Sequence, residues 1–415
     1  MKIKVSNIVK ALIGILVLLH LGVLLIPLAG TSMFSTSYIT KDRMLLFLLI
    51  LSLCVLIGST YRNKMSKKYL YFELSILLIC CVRGMIGSLG SGDRFIDGLY
   101  LIWPYIYPWL ALPILNLLCA EKLKIENLAK FVVVSTTIDT LLKAFMSLYQ
   151  SISGTILWSN LVRGEMGYRN GLYRINPSAL SILVVPLSFW LIARSNKRRE
   201  KAIYIITMII DILYAYIVWQ ARSALMYKTI IVILMLFMQK TNDKKKIIRF
   251  FVLLTGIVIF INTPIFSNFI SSFSASDSTY GGSTVARLNA IAYFMGRYSQ
   301  HPILGIGCLQ TVDRYAVGGG MLEDMGFLYG LVQLGIPMVI FYLVIFIRGI
   351  YVSIKLKRKS NNDSILCIAL TVLFIMFGIN MDTFYAFAIA VPFYLAFIEF
   401  LYWRRGYGVD LSIMY

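Results

Sequence analysis

Stretches of roughly 17–22 mostly apolar residues recur from one end of the chain to the other, the length a helix needs to cross about 30 Å of hydrocarbon. Twelve such spans are expected, at 11–29, 44–60, 69–88, 99–119, 131–149, 176–193, 202–219, 222–239, 248–264, 325–347, 364–383 and 385–403. They predict an all-α fold: a polytopic transmembrane helix bundle forming a single membrane domain over residues 1–415. The segments between spans are unequal. On one side they are short and basic; on the other, 150–175 and above all 265–324 are long. Inside the longest, Val285, Leu288, Ala292, Met295 and Tyr298 recur at a spacing of three to four. That spacing predicts an amphipathic helix on the membrane surface or capping the bundle. Ser283 or Thr284 would open it, and Pro302, Gly305 and Gly307 would end it.

Composition agrees with the pattern. The 415 residues are 59% hydrophobic and only 14% charged, and mean hydropathy is +0.78. A soluble domain is nearer half apolar and about a quarter charged. The net charge of +21 would suggest nucleic acid in a soluble protein, but the placement of the charges excludes that partner. With the first terminus inside, the intracellular turns carry Lys2, Lys4, Lys10, Arg62, Lys64, Lys67, Lys68, Lys122, Lys124 and Lys130. They also carry Arg194, Lys197, Arg198, Arg199, Lys201, Lys240, Lys244, Lys245, Lys246 and Arg249, then Arg348, Lys355, Lys357, Arg358, Lys359, Arg404 and Arg405. That is 27 of the 40 basic residues on one side, so the positive-inside rule puts both termini in the cytoplasm. The first span resembles a secretory signal, but its apolar run passes about 15 residues without a small-residue cleavage site and is expected to be retained. The six cysteines show no zinc-ligand spacing, and the two histidines, His20 and His301, exclude a His-rich metal site. No cofactor is expected.

Thirteen basic residues run against that orientation: Lys41, Arg43, Arg83, Arg94, Lys143, Arg163, Arg169, Arg174, Arg222, Lys228, Arg287, Arg297 and Arg314. Arg outnumbers Lys ten to three among them. The planar guanidinium donates two parallel hydrogen bonds to phosphate oxygens, so the set points to an outward-facing site for an anionic ligand such as a pyrophosphate; headgroup contact is the plainer alternative. Three segments concentrate it. The first holds Arg163, Arg169 and Arg174 with Gly164, Gly167 and Gly171 between them, a flexible basic loop running into Ile175-Asn176-Pro177. The second is Gln220-Ala-Arg222-Ser223-Ala, a tight outer turn. The third runs from Ser283 through Arg287 and Arg297 to His301-Pro302-Ile-Leu-Gly305-Ile-Gly307.

These segments carry a resemblance. Arg287 followed by His301-Pro302-Ile-Leu-Gly305-Ile-Gly307 resembles the Arg…hPllGiG signature of the O-antigen ligase/polymerase superfamily. Arg222-Ser223-Ala224 is similar to that family's Ser-Arg-x-Ala turn, and Arg174-Ile-Asn176-Pro177 to its Arg- and Gly-rich loop entering an Asn-containing span. The resemblance covers about residues 160–345 and implies a multi-pass protein of the bacterial cytoplasmic membrane. Such proteins move glycan from an undecaprenyl-pyrophosphate-linked oligosaccharide to an acceptor at the outer face. A flippase and a chain-length regulator are the partners it implies. The ligase branch usually has a His shortly before span ten, whereas this chain reads Glu323-Asp324-Met-Gly-Phe there; that difference favours a Wzy-type polymerase. An activated pyrophosphate leaving group needs charge stabilisation more than a strong acid. Arg163, Arg169, Arg174, Arg222 and Arg287 are the expected pyrophosphate ligands, with Arg174, Arg222 and Arg287 foremost.

The acceptor hydroxyl needs a general base, for which Glu323 or Asp324 stands at the membrane boundary. The same pair would serve equally as a cap on span ten or as ligands of a divalent cation, with metal-independent chemistry favoured. His301 is either a base or part of a helix stop. Within the spans, Asp139 and Lys143 stand at i, i+4, and Asp211 and Lys228 at matching depth on either side of one tight turn. Each pair is a lock between charges too costly to leave alone in lipid, or a proton or substrate path. Trp103, Tyr105, Tyr107, Trp109, Trp158 and Trp219 are expected in an interfacial belt, with Trp158 also placed to stack on a sugar. Two further readings stay open. A ligase of the same superfamily is one. The other is a lipid-linked oligosaccharide flippase, expected to have short loops on both faces and, in repeat-built transporters, paired broken spans. Pro104, Pro108 and Pro113 break span four with no obvious counterpart in the second half.

Overall fold

In this computed structural model the described residues are 5–21, 68–90, 102–156, 167–240, 271, 274, 281–309, 312–317 and 319–406. The expected spans 44–60 and 248–264 lie outside them, as do Lys41, Arg43, Arg94, Trp158 and Arg163. The described chain is mostly helical, with 13 α-helices. They are α1 (Val5–Leu21), α2 (Lys68–Gly90), α3 (Ala111–Cys119), α4 (Ile125–Ser153), α5 (Ser181–Arg194), α6 (Arg198–Ile217) and α7 (Arg222–Met238). There follow α8 (Gly281–Tyr298), α9 (Leu328–Leu334), α10 (Ile336–Leu356), α11 (Asn361–Asn380), α12 (Thr383–Ala386) and α13 (Val391–Gly406). Among the described residues, four helices are long and apolar enough to cross a membrane: Lys68–Gly87, Ile125–Ser153, Ile336–Leu356 and Asn361–Asn380.

The surface of the bundle argues for lipid. On α4, Phe131, Val134, Ile138, Leu141, Phe145, Leu148 and Ile152 are exposed, alternating at three- and four-residue steps. Its opposite face buries Thr136, Asp139, Thr140, Lys143, Ser147 and Gln150. Helix α10 repeats the arrangement, with Ile336, Ile340, Leu343, Ile347, Ile350 and Ile354 outward. In water such stripes would be a continuous apolar patch. A helix that is apolar outside and polar inside fits a bundle surrounded by acyl chains, where the polar groups must be satisfied internally.

Buried charges hold the helices in register. Lys143 and Asp139 pair at 2.9 Å within α4, and Lys228 of α7 reaches Asp211 of α6 at 2.6 Å. Both pairings match the sequence expectation. Arg348 of α10 donates twice to Glu399 of α13, at 2.7 and 2.8 Å, with the rings of Tyr69 and Tyr402 against its guanidinium. At one end of the bundle, Asp363 of α11 accepts from Arg194, Arg404 and the Trp190 indole, while Arg194 also pairs with Glu126. This clasp joins the start of α4, the ends of α5 and α13 and the start of α11. Asn361 donates to the Met238 carbonyl, adding the end of α7. Among the described residues, the basic turns at 194–201 and 355–359 therefore lie at this end.

Glu73 of α2 is 1% exposed, and neither carboxyl oxygen has a hydrogen-bond partner. Leaving a buried polar group unsatisfied costs about 1–3 kcal/mol. Glu73→Met is therefore expected to raise the thermal midpoint of the detergent-solubilised protein, and a lowered midpoint would show that the carboxyl is a net stabiliser.

The aromatic belt is revised. Tyr105 and Tyr107 are 1% and 0% exposed, in a 3-10 segment, Trp103–Leu110, that Pro104 and Pro108 hold out of α-helical geometry. Trp219 stacks flat on Phe377 at 6.4 Å. These rings fill the interior. The segment also gains a partner that the sequence hid: another 3-10 turn, Ala388–Ala390, packs against it where α12 gives way to α13.

Candidate functional site

The described parts of the motif segments lie at the end opposite the clasp, because α4, α6 and α11 run toward that end and α5, α7 and α10 run away from it. The first motif is not a flexible loop over its described part. Tyr168-Arg169 and Leu172-Tyr173 pair as a two-stranded antiparallel hairpin (β1, Tyr168–Arg169; β2, Leu172–Tyr173). Asn170 and Gly171 have φ of +50° and +78°, the two left-handed residues that a tight hairpin turn demands and Asn-Gly supplies. Tyr168 and Tyr173 pack edge to face at 5.0 Å.

The hairpin docks on the turn between α6 and α7. Gln220 donates through Nε2 to the Arg169 carbonyl at 2.8 Å and to the Ile217 carbonyl at 3.2 Å. Arg174 is buried, its amide N–H donating to Gly167 and its Nε to the Trp219 carbonyl at 3.2 Å. Arg174 therefore ties the hairpin to the turn. Arg169 and Arg222 are half-buried on either side of this junction.

Helix α8 covers the stretch that holds the expected apolar stripe. Ala290 and Phe294 are fully buried, while Val285 and Leu288 of the expected apolar stripe are 41% and 58% exposed. The stripe faces outward because Gly320 brings its backbone against Ala286 and Ala290, which fixes the packed side. Arg287 lies one turn from Ala290, and its Nε is buried with no hydrogen-bond partner. It acts electrostatically on Tyr227 of α7, whose hydroxyl accepts from Asn380 at 2.8 Å. Arg222, from the second motif, opens α7.

The His301–Gly307 motif forms a backbone clamp. His301 is exposed in the turn that ends α8. Ile306 and Gly307 then donate to the Val332 and Gln333 carbonyls at 2.8 and 3.0 Å, and Ile336 donates to Ile303 at 2.9 Å. Gly307, at φ +87°, lies backbone to backbone with Gly87 of α2, and a Cβ there would collide with it. Cys308 follows, buried, its thiol pushed up to about 12 by burial against the pull of Arg314 and Arg83. It is not a nucleophile near neutral pH.

Glu323 sits in a 3-10 turn, Leu322–Met325, and makes no helix cap. Its Oε1 accepts from Arg314 at 2.7 Å, while Oε2 is buried without a hydrogen-bond partner. A guanidinium, not a second carboxylate, anchors it. Arg314 also donates to the Tyr385 hydroxyl at 3.0 Å and lies over the rings of Tyr329 and Tyr385. Burial works against its charge, but Tyr329, Tyr385 and Glu323 more than offset this and hold its pKa above the ordinary arginine value. Asp324 is half-buried beside Glu323.

Sequence reasoning missed the support beneath. Asp382, 2% exposed, accepts from Tyr105 and Tyr342 at 2.7 Å each and from the Phe384 amide at 2.9 Å. Tyr105 packs on Tyr385, so this buried acid braces the ring that holds Arg314. Its signal was present as an acid near the end of the mostly apolar span eleven. No protein-family model matches the chain, and no curated protein is significantly similar to it.

Proposed function

We propose that the protein is a Wzy-type polymerase, joining undecaprenyl-pyrophosphate-linked oligosaccharide units into a surface polysaccharide. In this reading about 12 spans cross the bacterial cytoplasmic membrane, both termini are cytoplasmic, and the motif end faces outward. The observation that supports it best is the buried Nε of Arg287, which has no hydrogen-bond partner, together with Arg222, which opens α7 and lines a cavity. In this reading arginines from separate motifs together bind the pyrophosphate of the donor.

The chemistry follows. Arg222, Arg287 and Arg169 bind the donor pyrophosphate. The acceptor hydroxyl oxygen bonds to the anomeric carbon of the donor while the bond from that carbon to the pyrophosphate oxygen breaks. Guanidinium groups stabilise the charge gathering on the leaving undecaprenyl pyrophosphate. The hydroxyl proton passes to Glu323, whose Oε2 has no other hydrogen-bond partner and whose Oε1 is fixed by Arg314. The lack of a His before span ten sets this reading ahead of a ligase.

Purified protein in lipid nanodiscs, given the lipid-linked repeat unit, is expected to yield a ladder of longer glycans. Glu323→Gln should slow it about 10²- to 10⁴-fold, the range for loss of a general base, without weakening donor binding. An unchanged rate would remove Glu323 from that role. A second reading, transport of the same lipid-linked glycan, draws on the facing 3-10 breaks at Trp103–Leu110 and Ala388–Ala390, a paired interruption of the kind transporters use.

A further inference from the structure

Between the hairpin and the α6–α7 turn lies a cavity of about 250 Å³, lined by Asn170, Leu172, Tyr216, Gln220, Arg222 and Leu225 among others. It is smaller than the roughly 300–1,000 Å³ of drug-sized sites, so it has room for one ring and not for an oligosaccharide. Its lining is mixed. Asn170 offers an amide that both donates and accepts, Tyr216 an aromatic face that is 61% exposed, and Leu172 and Leu225 apolar walls. Arg222 stands at one side.

The cavity is built, not incidental. Gln220 has φ +51°, a left-handed conformation that costs a residue with a Cβ about 1–2 kcal/mol. The strain is held by its side chain, which ties the hairpin to the turn and accepts from Asn170 at 3.4 Å. Releasing it would let the hairpin lift and the cavity open out.

We propose that this cavity is a sugar subsite, holding the monosaccharide directly attached to the pyrophosphate. The inference rests on the polymerase reading for its ligand. A pyranose ring presents hydroxyl edges that need donors and acceptors together, and a C–H face that packs on an aromatic ring. A bare phosphate would need several cations, and the lining supplies one. Position agrees: Arg222 lines the cavity, so a pyrophosphate bound to Arg222 places its sugar beside it. Asn170 and Tyr216 select the sugar, and Arg222 is shared between sugar and phosphate.

The test measures binding in detergent with two defined probes: undecaprenyl pyrophosphate alone, and the same lipid bearing one N-acetylhexosamine, whose acetamido group suits Asn170. The variants are Tyr216→Ala, at an exposed ring, and Asn170→Gly, which keeps the turn geometry. Wild-type protein is expected to bind the sugar-bearing lipid about tenfold more tightly than the bare lipid, the worth of a hydrogen bond and a ring contact. Both variants should lose that difference while binding the bare lipid as before. Equal binding of the two lipids by wild type, or a preference that survives both substitutions, overturns the subsite alone. Failure of wild type to bind either lipid overturns the polymerase reading as well.

Discussion

Arg287→Ala is expected to abolish chain extension while the protein remains in the membrane at normal abundance. Arg287 has a buried Nε that no hydrogen bond satisfies, and a cation so placed is poised for an anion. Removing one donor aimed at developing charge typically slows an enzyme about 10²- to 10³-fold, enough to shorten a polymer to its starting units. Arg222→Ala should act likewise. Arg287→Lys restores charge but not the two-pronged geometry, so partial activity is expected. Arg174→Ala should differ in kind: its hydrogen bond to the Trp219 carbonyl makes it a fold element, and its loss should lower abundance together with activity. Normal polymer length in both Arg222→Ala and Arg287→Ala would remove these residues from the site.

The second large effect concerns stability. Lys228 and Asp211 are 1% and 3% exposed and pair at 2.6 Å. Removing one member of such a pair leaves a buried charge alone and costs about 3–5 kcal/mol, while replacing both by apolar residues is often neutral. Lys228→Met alone should therefore strip the protein from the membrane fraction or sharply lower its melting point. Lys228→Met with Asp211→Leu should recover both, and chain extension with them. A stable double variant that makes no polymer would instead identify the pair as part of a proton or substrate path.

Much of the architecture was legible because lipid enforces simple rules. Span-length apolar runs, the one-sided lysines and the i, i+4 pairing of Asp139 with Lys143 each follow from the cost of an unpaired polar group in hydrocarbon. The ends of the bundle were harder to read. The Asn-Gly turn at 170–171 is a hairpin signal, hidden by the glycines flanking it. Helix α8 exposes Val285 and Leu288 because, beside lipid, an apolar stripe does not mark the packed side. Tyr105 and Asp382 lie far apart in sequence, and only packing brings them together beneath Arg314 and Glu323. Arg174 shows that an arginine in a basic loop serves carbonyls as readily as phosphates.

The most direct test of the account is deletion of the gene in its native host, followed by analysis of the glycan left on the carrier lipid. Single repeat units exposed on the outer surface are the expected result, since a missing polymerase leaves export intact and extension undone. Single units trapped on the cytoplasmic side would contradict it and make the protein a flippase.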